Sequence, residues 1–414
     1  MERTIFHSDL NNFYAEAECL RRPELSGKPV AVCGDPSLRR GVVLAKNGIA
    51  KQCGVKTGDV IWEARQKCAG LVVVSADFPL YLRLSREVRG IYDRYTDRVE
   101  PFGIDECWLD VTGCPGLKGG ARALADEIRA VIEREVGITA SIGVSWNKVF
   151  AKLGSDLKKP NATTVIDREN YRQLIFGLPA AALLYAGKVT CAKLEKLGIR
   201  TIGQIASADR ELLHCCLGKW GDTLHTFANG MDSSPVAASC ALPMAKSLGN
   251  STTTARDLRS EEDALIAITA VAESVAMRLR EQNLRGRVVC VNFRDSNLRS
   301  FSRQMTLERP TNLSTPIIEA AMSLLREYGF DKPLRSVGVK LSDLTEGSTG
   351  CQMSMFLPEE QVKKQERLEQ ALDNIKLKFG QGSIKRGTLC IGGDLAAFRS
   401  GEERIIPPGY TGRY

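Results

Sequence analysis

One order of elements, β-α-β-β-α-β, can be read twice along these 414 residues, and it restricts the chain to architectures built on split βαβ units. The first run opens with a strand over residues 4–9 and a helix start over 11–18. Short strands and glycines fill 26–76, helix signals resume over 79–95, and a hairpin turns near Pro101 and Gly103. A helix over 121–136 carries Leu124, Ile128, Val131 and Ile132 on one stripe, and a period-two strand follows over 138–144. The second run has a strand over 246–254, a helix over 261–282, and strands over 287–294 and 298–307 joined by Asp295-Ser296-Asn297. A helix over 315–328 and a strand over 336–342 complete it.

Only the first run carries paired acids at its hairpin. Asp105 and Glu106 follow Gly103-Ile104, and Asp9 ends the first strand. Neighbouring residues of a regular strand point to opposite faces, so Asp105 and Glu106 can converge only beside a turn, which is where they fall. Carboxylates gathered at strand ends need positive charge among them. Hard divalent ions supply it, because they take oxygen ligands and keep positions open for water and phosphate. If the two strands are neighbours, Asp9, Asp105 and Glu106 could hold two metal ions about 4 Å apart, a clamp for in-line phosphoryl transfer.

Composition narrows the partners. The 57 basic and 49 acidic residues leave a net charge of +8, compatible with a polyanion without requiring one. Arginines concentrate at 278, 280, 285, 287, 294, 299 and 303, as either a solvated face or a phosphate-binding surface. The 13 cysteines include no C-x-x-C pair and suit free thiols in a reducing cytoplasm; the three histidines have no zinc-ligand spacing. No signal peptide is expected, because the strand signal begins at Thr4, and the longest apolar stretch is too short to span a bilayer.

Between the two runs, residues 166–235 read as small helices. The turn at Gly187, followed by Lys188 and further lysines, is either an ordinary tight turn or a helix-hairpin-helix whose N–H groups hold a DNA phosphate. Near the end, Gln352-Met353-Ser354-Met355-Phe356 is an apolar cluster in polar surroundings. A helix to Phe379 follows, with Leu368, Leu372, Ile375 and Phe379 on one face, expected to pack onto the body.

These residues resemble the Y-family DNA polymerases, in the branch of bacterial DNA polymerase IV. The motifs occur in the same order: Ser8-Asp9-Leu10-Asn11-Asn12-Phe13-Tyr14, Gly103-Ile104-Asp105-Glu106, Ser145-Trp146-Asn147-Lys148-Val149-Phe150-Ala151-Lys152, Lys158-Lys159-Pro160-Asn161, and the Gly187 turn. The resemblance implies an α+β right-hand polymerase. Its ferredoxin-like palm would take residues 1–25 and 77–165, with fingers over 26–76, a helical thumb over 166–235, a βαββαβ little finger over 241–345, and a clamp-binding tail over 346–414. It also implies low-fidelity translesion synthesis from dNTPs on primer–template DNA, by a cytoplasmic enzyme expected to be a monomer without membrane attachment.

The implied metal ligands are Asp9, Asp105, Glu106 and the Leu10 carbonyl, holding two Mg²⁺ with Mn²⁺ as a possible substitute. Tyr14 matches the steric gate against a ribose 2′-OH. Phe13, Tyr14, Lys51 and Lys159 would bind the nucleotide. Gly187, Lys188, Arg294, Arg299 and Arg303 would bind DNA, and residues 352–356 would dock on the sliding clamp's β subunit. Some positions depart from the family pattern. Asn11 replaces a common acid, and Gly48 and Lys51 replace a Tyr–Arg pair. Val42 and Leu44 replace smaller roof residues, and Tyr185 replaces the first glycine of a Gly-x-Gly. These departures motivate an alternative, a catalytically weak DNA- and clamp-binding regulator. A two-metal nuclease or nucleotidyl cyclase on a similar palm is a third reading; a cyclase leaves the thumb, little finger and clamp peptide without a role, and a nuclease would shorten DNA without needing dNTPs.

Overall fold

The computed structural model describes residues 2–36, 39, 41–239, 245–329, 332–347 and 359–396. Twelve strands run in chain order among them: β1 (Ile5–Leu10), β2 (Val30–Cys33), β3 (Val43–Lys46), β4 (Val72–Ser75), β5 (Val99–Pro101), β6 (Glu106–Asp110), β7 (Ala140–Ser145), β8 (Thr163–Val165), β9 (Ser247–Leu258), β10 (Leu284–Asp295), β11 (Ser300–Thr311) and β12 (Leu334–Glu346). They form three sheets, ordered β5-β6-β1-β7-β8, β3-β2-β4 and β11-β10-β12-β9. The clamp-like segment 352–356 lies outside the described residues.

In the first sheet β1 is central, antiparallel to β6 and β7 and buried along its whole length. Alternation then separates two layers. Phe6 and Leu10 enter a core with Leu109 and the apolar stripes of the helices Phe78–Tyr92 and Ala121–Val136. Ile5, His7 and Asp9 face the helix Lys148–Leu157 instead. That helix lies close because Gly143 and Gly154 remove side chains from the contact. A Cβ on Gly143 would come within 1.9 Å of the Ala151 carbonyl oxygen and 2.4 Å of the Ser155 nitrogen.

The small sheet, β3-β2-β4, is inserted between β1 and the helix Phe78–Tyr92, around a core that includes Ala31, Val43, Val55 and Ala64. The helices of residues 171–228 enclose another core with Phe150, Leu194, Ile202, Leu213 and Leu224.

The last sheet corrects the expectation of a repeated architecture. Its element order does match the first run, but its first strand, β9, is an edge strand paired only with β12, and the hairpin β10–β11 forms the other side. The two helices Glu261–Glu281 and Ser314–Tyr328 cover one face. The other face presents Asn292, Arg294, Ser300, Ser302 and Ser336, most of them exposed.

A second correction concerns the C-terminal helix, Glu359–Phe379. The face expected to pack is turned outward, with Leu368 58% and Phe379 68% exposed. The helix docks instead through Glu366, Glu369, Asp373 and Lys376. Arg280 holds Glu369 at 2.7 Å and Asp373 at 2.6 Å, Arg285 holds Glu366 at 2.9 Å, and Lys376 meets Glu273 at 3.0 Å. The apolar stripe misleads because the opposite stripe carries charges spaced to meet cations on the neighbouring helix and on β10. Arg280 and Arg285 thereby leave the arginine run read as a phosphate surface.

Candidate active site

Register brings the acids together. Asp9 and Glu106 are direct partners across the β1–β6 pair, and Asp105 is the residue before Glu106 in the turn. The Leu10 N–H donates to the Asp105 carbonyl at 3.0 Å, which closes the two strand ends on each other. The turn is held from behind, where the Ser85 hydroxyl donates to the Ile104 carbonyl and Arg89 donates to the Gly103 carbonyl at 2.9 Å.

Like charges directly across a strand pair are destabilising, and burial makes them more so. Burial first, then Glu106, raises the Asp9 carboxyl to about 6 against the opposing pull of Lys159 and Lys152. Burial, then Glu106 and Asp9, raises Asp105 to about 7. The cations that partly offset this come from the facing helix and the loop after it. Lys152 Nζ lies 2.9 Å from Glu106 Oε1 and 3.7 Å from Asp9 Oδ2, and Lys159 Nζ lies 2.7 Å from Asp9 Oδ2 and 2.8 Å from Asp156. Burial works against both ammonium groups, but the carboxylates outweigh it and hold their pKa values up.

Among the described residues no three His, Cys, Asp or Glu side chains are already gathered closely enough to hold a metal ion by themselves. An open set of hard oxygen donors carrying surplus negative charge nevertheless fits Mg²⁺, which is commonly held by one or two carboxylates with water and substrate phosphates completing its shell.

Beside the acids, the Tyr14 ring is half-buried and stacked on Tyr81, with centroids 4.4 Å apart and planes at 11°. Phe78 meets its edge at 5.8 Å. Tyr81 is itself fixed, donating to the buried Glu18 at 2.8 Å. The Phe13 side chain is a core ring, 3% exposed, so only its backbone is placed for a nucleotide. Phe13 opens the helix Phe13–Arg21, whose N-cap Asn12 is left-handed and gives no side-chain cap, leaving that end suited to an anion. Asn11 is buried and pairs with Ser141 at 2.9 Å and Thr139 at 3.1 Å, joining β1 to β7.

The remaining expected residues are spread more widely. Lys51 is exposed on the short helix Gly48–Gln52, while Lys46 donates to Thr57 at 3.0 Å. Gly187 is the N-cap of the helix Lys188–Lys196, and both Gly187 and Lys188 are exposed. Tyr185, at the first glycine position of the motif, takes the left-handed conformation that glycine would adopt, with φ 67°. Arg294 is on the open face of its sheet and Arg299 at the hairpin tip. Arg303 pairs in register with the buried Val291 and lies over the Tyr328 ring at 5.4 Å, on the helix side. These three arginines therefore do not share one face.

Sequence reasoning does not single out Lys152 or His7 as site residues. Lys152 sits four residues after Lys148 on one helix, and His7 two residues before Asp9 on one strand face, so spacing holds a signal for both.

Known proteins settle the class. The chain matches the impB/mucB/samB family over residues 8–156 and that family's C-terminal domain over 245–355. It is 49% identical to DNA polymerase IV of Acetivibrio thermocellus over 391 residues, covering 94% of this chain and 98% of that protein. The chain belongs to the Y-family DNA polymerases. DNA polymerase IV of Clostridium kluyveri is 37% identical over 396 residues, 94% of this chain and 98% of that one. A solved Y-family DNA polymerase chimera superposes with a TM-score of 0.75 at 25% identity, covering 83% of this chain and 99% of its own. The polymerase is a DNA-directed nucleotidyltransferase of the translesion class that binds a DNA template, consumes dNTPs and uses divalent metal. The regulator reading is not favoured. No helix among the described residues is long and apolar enough to cross a membrane.

Proposed function

We propose that Asp9, Asp105 and Glu106, with the Leu10 carbonyl, hold two Mg²⁺ ions for transfer of the nucleoside monophosphate of a dNTP to a primer 3′-OH with release of pyrophosphate, and that Mn²⁺ can replace them. One observation carries this reading: two carboxylates face each other across β1 and β6, a third adjoins them, and burial and acidic neighbours, Glu106 first, raise Asp9 and Asp105. Held by these residues, the ions would supply acidification of the primer hydroxyl and positive charge for the triphosphate. The protein positions the reactants and supplies fixed charge. Lys159 moves from Asp9 to the triphosphate as that charge is neutralised, and the uncapped helix end at Phe13 and Tyr14 cradles phosphate oxygens. Tyr14, backed by Tyr81, excludes a 2′-OH. Lys51 gives a point charge where an arginine would give a two-pronged contact.

The same reading assigns 1–25 and 77–165 to the palm, 26–76 to the fingers, 166–235 to the thumb and 241–345 to the little finger, a division supported by the separate sheets and cores. Gly187 and Lys188 contact the DNA backbone, as do Arg294 and Arg299 from the little finger, with Arg303 more remote. Residues 352–356 dock the enzyme, a cytoplasmic monomer, on the sliding clamp.

Single alanine variants of Asp9, Asp105 and Glu106 test the assignment. Each is expected to bind primer–template normally by fluorescence anisotropy and to lose extension. A variant that extends at the wild-type rate removes that residue from the metal site.

A further inference from the structure

His7 is completely buried beneath the acids, wedged edge-on against Trp108 with ring centroids 5.3 Å apart. Its Nδ1 lies 2.9 Å from the Ser155 hydroxyl. Its Nε2 has no hydrogen-bond partner and lies 3.5 Å from Glu106 Oε2, while the other Glu106 oxygen is on Lys152. A buried polar nitrogen aimed at a carboxylate without a bond is expensive unless it carries a proton to offer. The imidazole can carry its proton on either nitrogen.

With the proton on Nδ1, the ring donates to Ser155, whose own proton goes to the Lys152 carbonyl at 2.8 Å. A bare Nε2 lone pair would then face the Glu106 carboxylate, an orphan beside a like partial charge. With the proton on Nε2, Ser155 donates to Nδ1. The Lys152 carbonyl loses little, because it lies within the helix Lys148–Leu157, whose ladder already supplies its acceptor with an N–H. The Nε2–H then has Glu106 Oε2 as its acceptor within reach, 3.5 Å away.

We infer that His7 is a positioning residue: set in its Nε2–H tautomer by Ser155, it donates to Glu106 and presents that carboxylate's other oxygen to the catalytic cation. The inference rests on Glu106 being a metal ligand. Outer partners of this kind fix a ligand's orientation, and their removal typically costs about 10–100-fold in metal affinity.

Two measurements test it. The first is the tautomer, read from the isotope-labelled imidazole nitrogens of the wild-type protein. Its other two histidines, His214 and His225, lie together in the 171–228 helices. The expected spectrum has a bare Nδ1 and a protonated Nε2 on His7; a protonated Nδ1 overturns the inference. The second is Mn²⁺ titration of the enzyme on a dideoxy-terminated primer–template with dNTP, where no bond forms. His7→Phe fills the same volume without a donor, and is expected to weaken Mn²⁺ binding about 10-fold or more with DNA affinity unchanged. His7→Gln, which places an N–H near Nε2, recovers most of the loss.

Unchanged Mn²⁺ binding in His7→Phe overturns the positioning role. Glu106→Gln separates this from failure of the site itself. If Glu106→Gln loses Mn²⁺ and His7→Phe does not, only the positioning role fails. If neither does, Glu106 is not a ligand.

Discussion

Asp9 and Asp105 are acids that the folded chain keeps at a cost, and the cost has a pH signature. Both titrate above the ordinary carboxylate value, at about 6 and about 7. The folded state therefore holds protons that the unfolded chain has already lost above pH ~4, and ionisation favours unfolding. Stability should be fully present below pH ~4 and fall as pH rises toward ~7. Mg²⁺, by offsetting the repulsion, should raise the melting temperature more at pH ~8 than at pH ~5. An equal rise at both pH values would mean the ion binds elsewhere. Asp105→Asn removes one buried charge and should raise metal-free stability at pH ~8 by on the order of 1 kcal/mol while abolishing extension, as thermal unfolding and primer extension would show. Tyr14→Ala should admit rNTPs at rates near those for dNTPs, because Tyr81 holds the ring rigidly in place; continued rNTP exclusion would locate the gate elsewhere.

At the scale of elements, the site depends on how closely the helix Lys148–Leu157 lies against β7. Gly143→Ala forces Cβ into the helix backbone, so helix or strand must move. The expected loss is about 1–3 kcal/mol or more in denaturant unfolding, with reduced extension as Lys152 and Ser155 shift away from the acids. A stable, fully active Gly143→Ala would show that this packing does not set the site. The C-terminal helix gives a second case. Arg280→Ala leaves Asp373 without its cation and removes one of two from the buried Glu369, which keeps Arg386 at 2.9 Å. About 1–3 kcal/mol of local stability should go, seen as faster amide exchange in residues 359–379 with the acid site unaffected. Most helices and strands are legible because their apolar period matches their burial. The helix expected over 121–136 has those bounds, Ala121–Val136. The C-terminal helix shows an apolar stripe in sequence and docks by its charged one, since periodicity reports that a helix is two-sided but not which side meets a partner.

Across the whole molecule, an acid from the first strand meets two from a turn nearly a hundred residues later because β1 and β6 are neighbours in the sheet. The sequence holds the three acids and Tyr14, but element order alone does not fix that adjacency, since the last sheet has the same order with its first strand at an edge. Sequence does not hold the strand order of the last sheet, where the same element order closes differently, nor the division of the arginine run. Arg280 and Arg285 bind the C-terminal helix, whereas Arg294 and Arg299 remain outward. Replacing Arg294 and Arg299 together by alanine should weaken DNA binding for every sequence and flatten its salt dependence by about 1 in slope for each phosphate left without its cation. Arg303→Ala should change it less, because that side chain lies over Tyr328. An equal effect from all three would contradict the placement. The ion pair of Arg39 with Asp257, at 2.5 Å, joins the small-sheet region to β9.

Asp9, Asp105 and Glu106 are proposed to form one divalent-metal site for nucleotidyl transfer. Single-turnover extension of a primer–template by one dNTP, with Mg²⁺ titrated and wild type run beside Asp105→Ala, tests it most directly. Template-directed extension is expected to rise steeply with Mg²⁺ and to vanish in the variant although DNA still binds. Extension by Asp105→Ala at the wild-type rate, or none by the wild-type protein at any Mg²⁺ concentration, would contradict it.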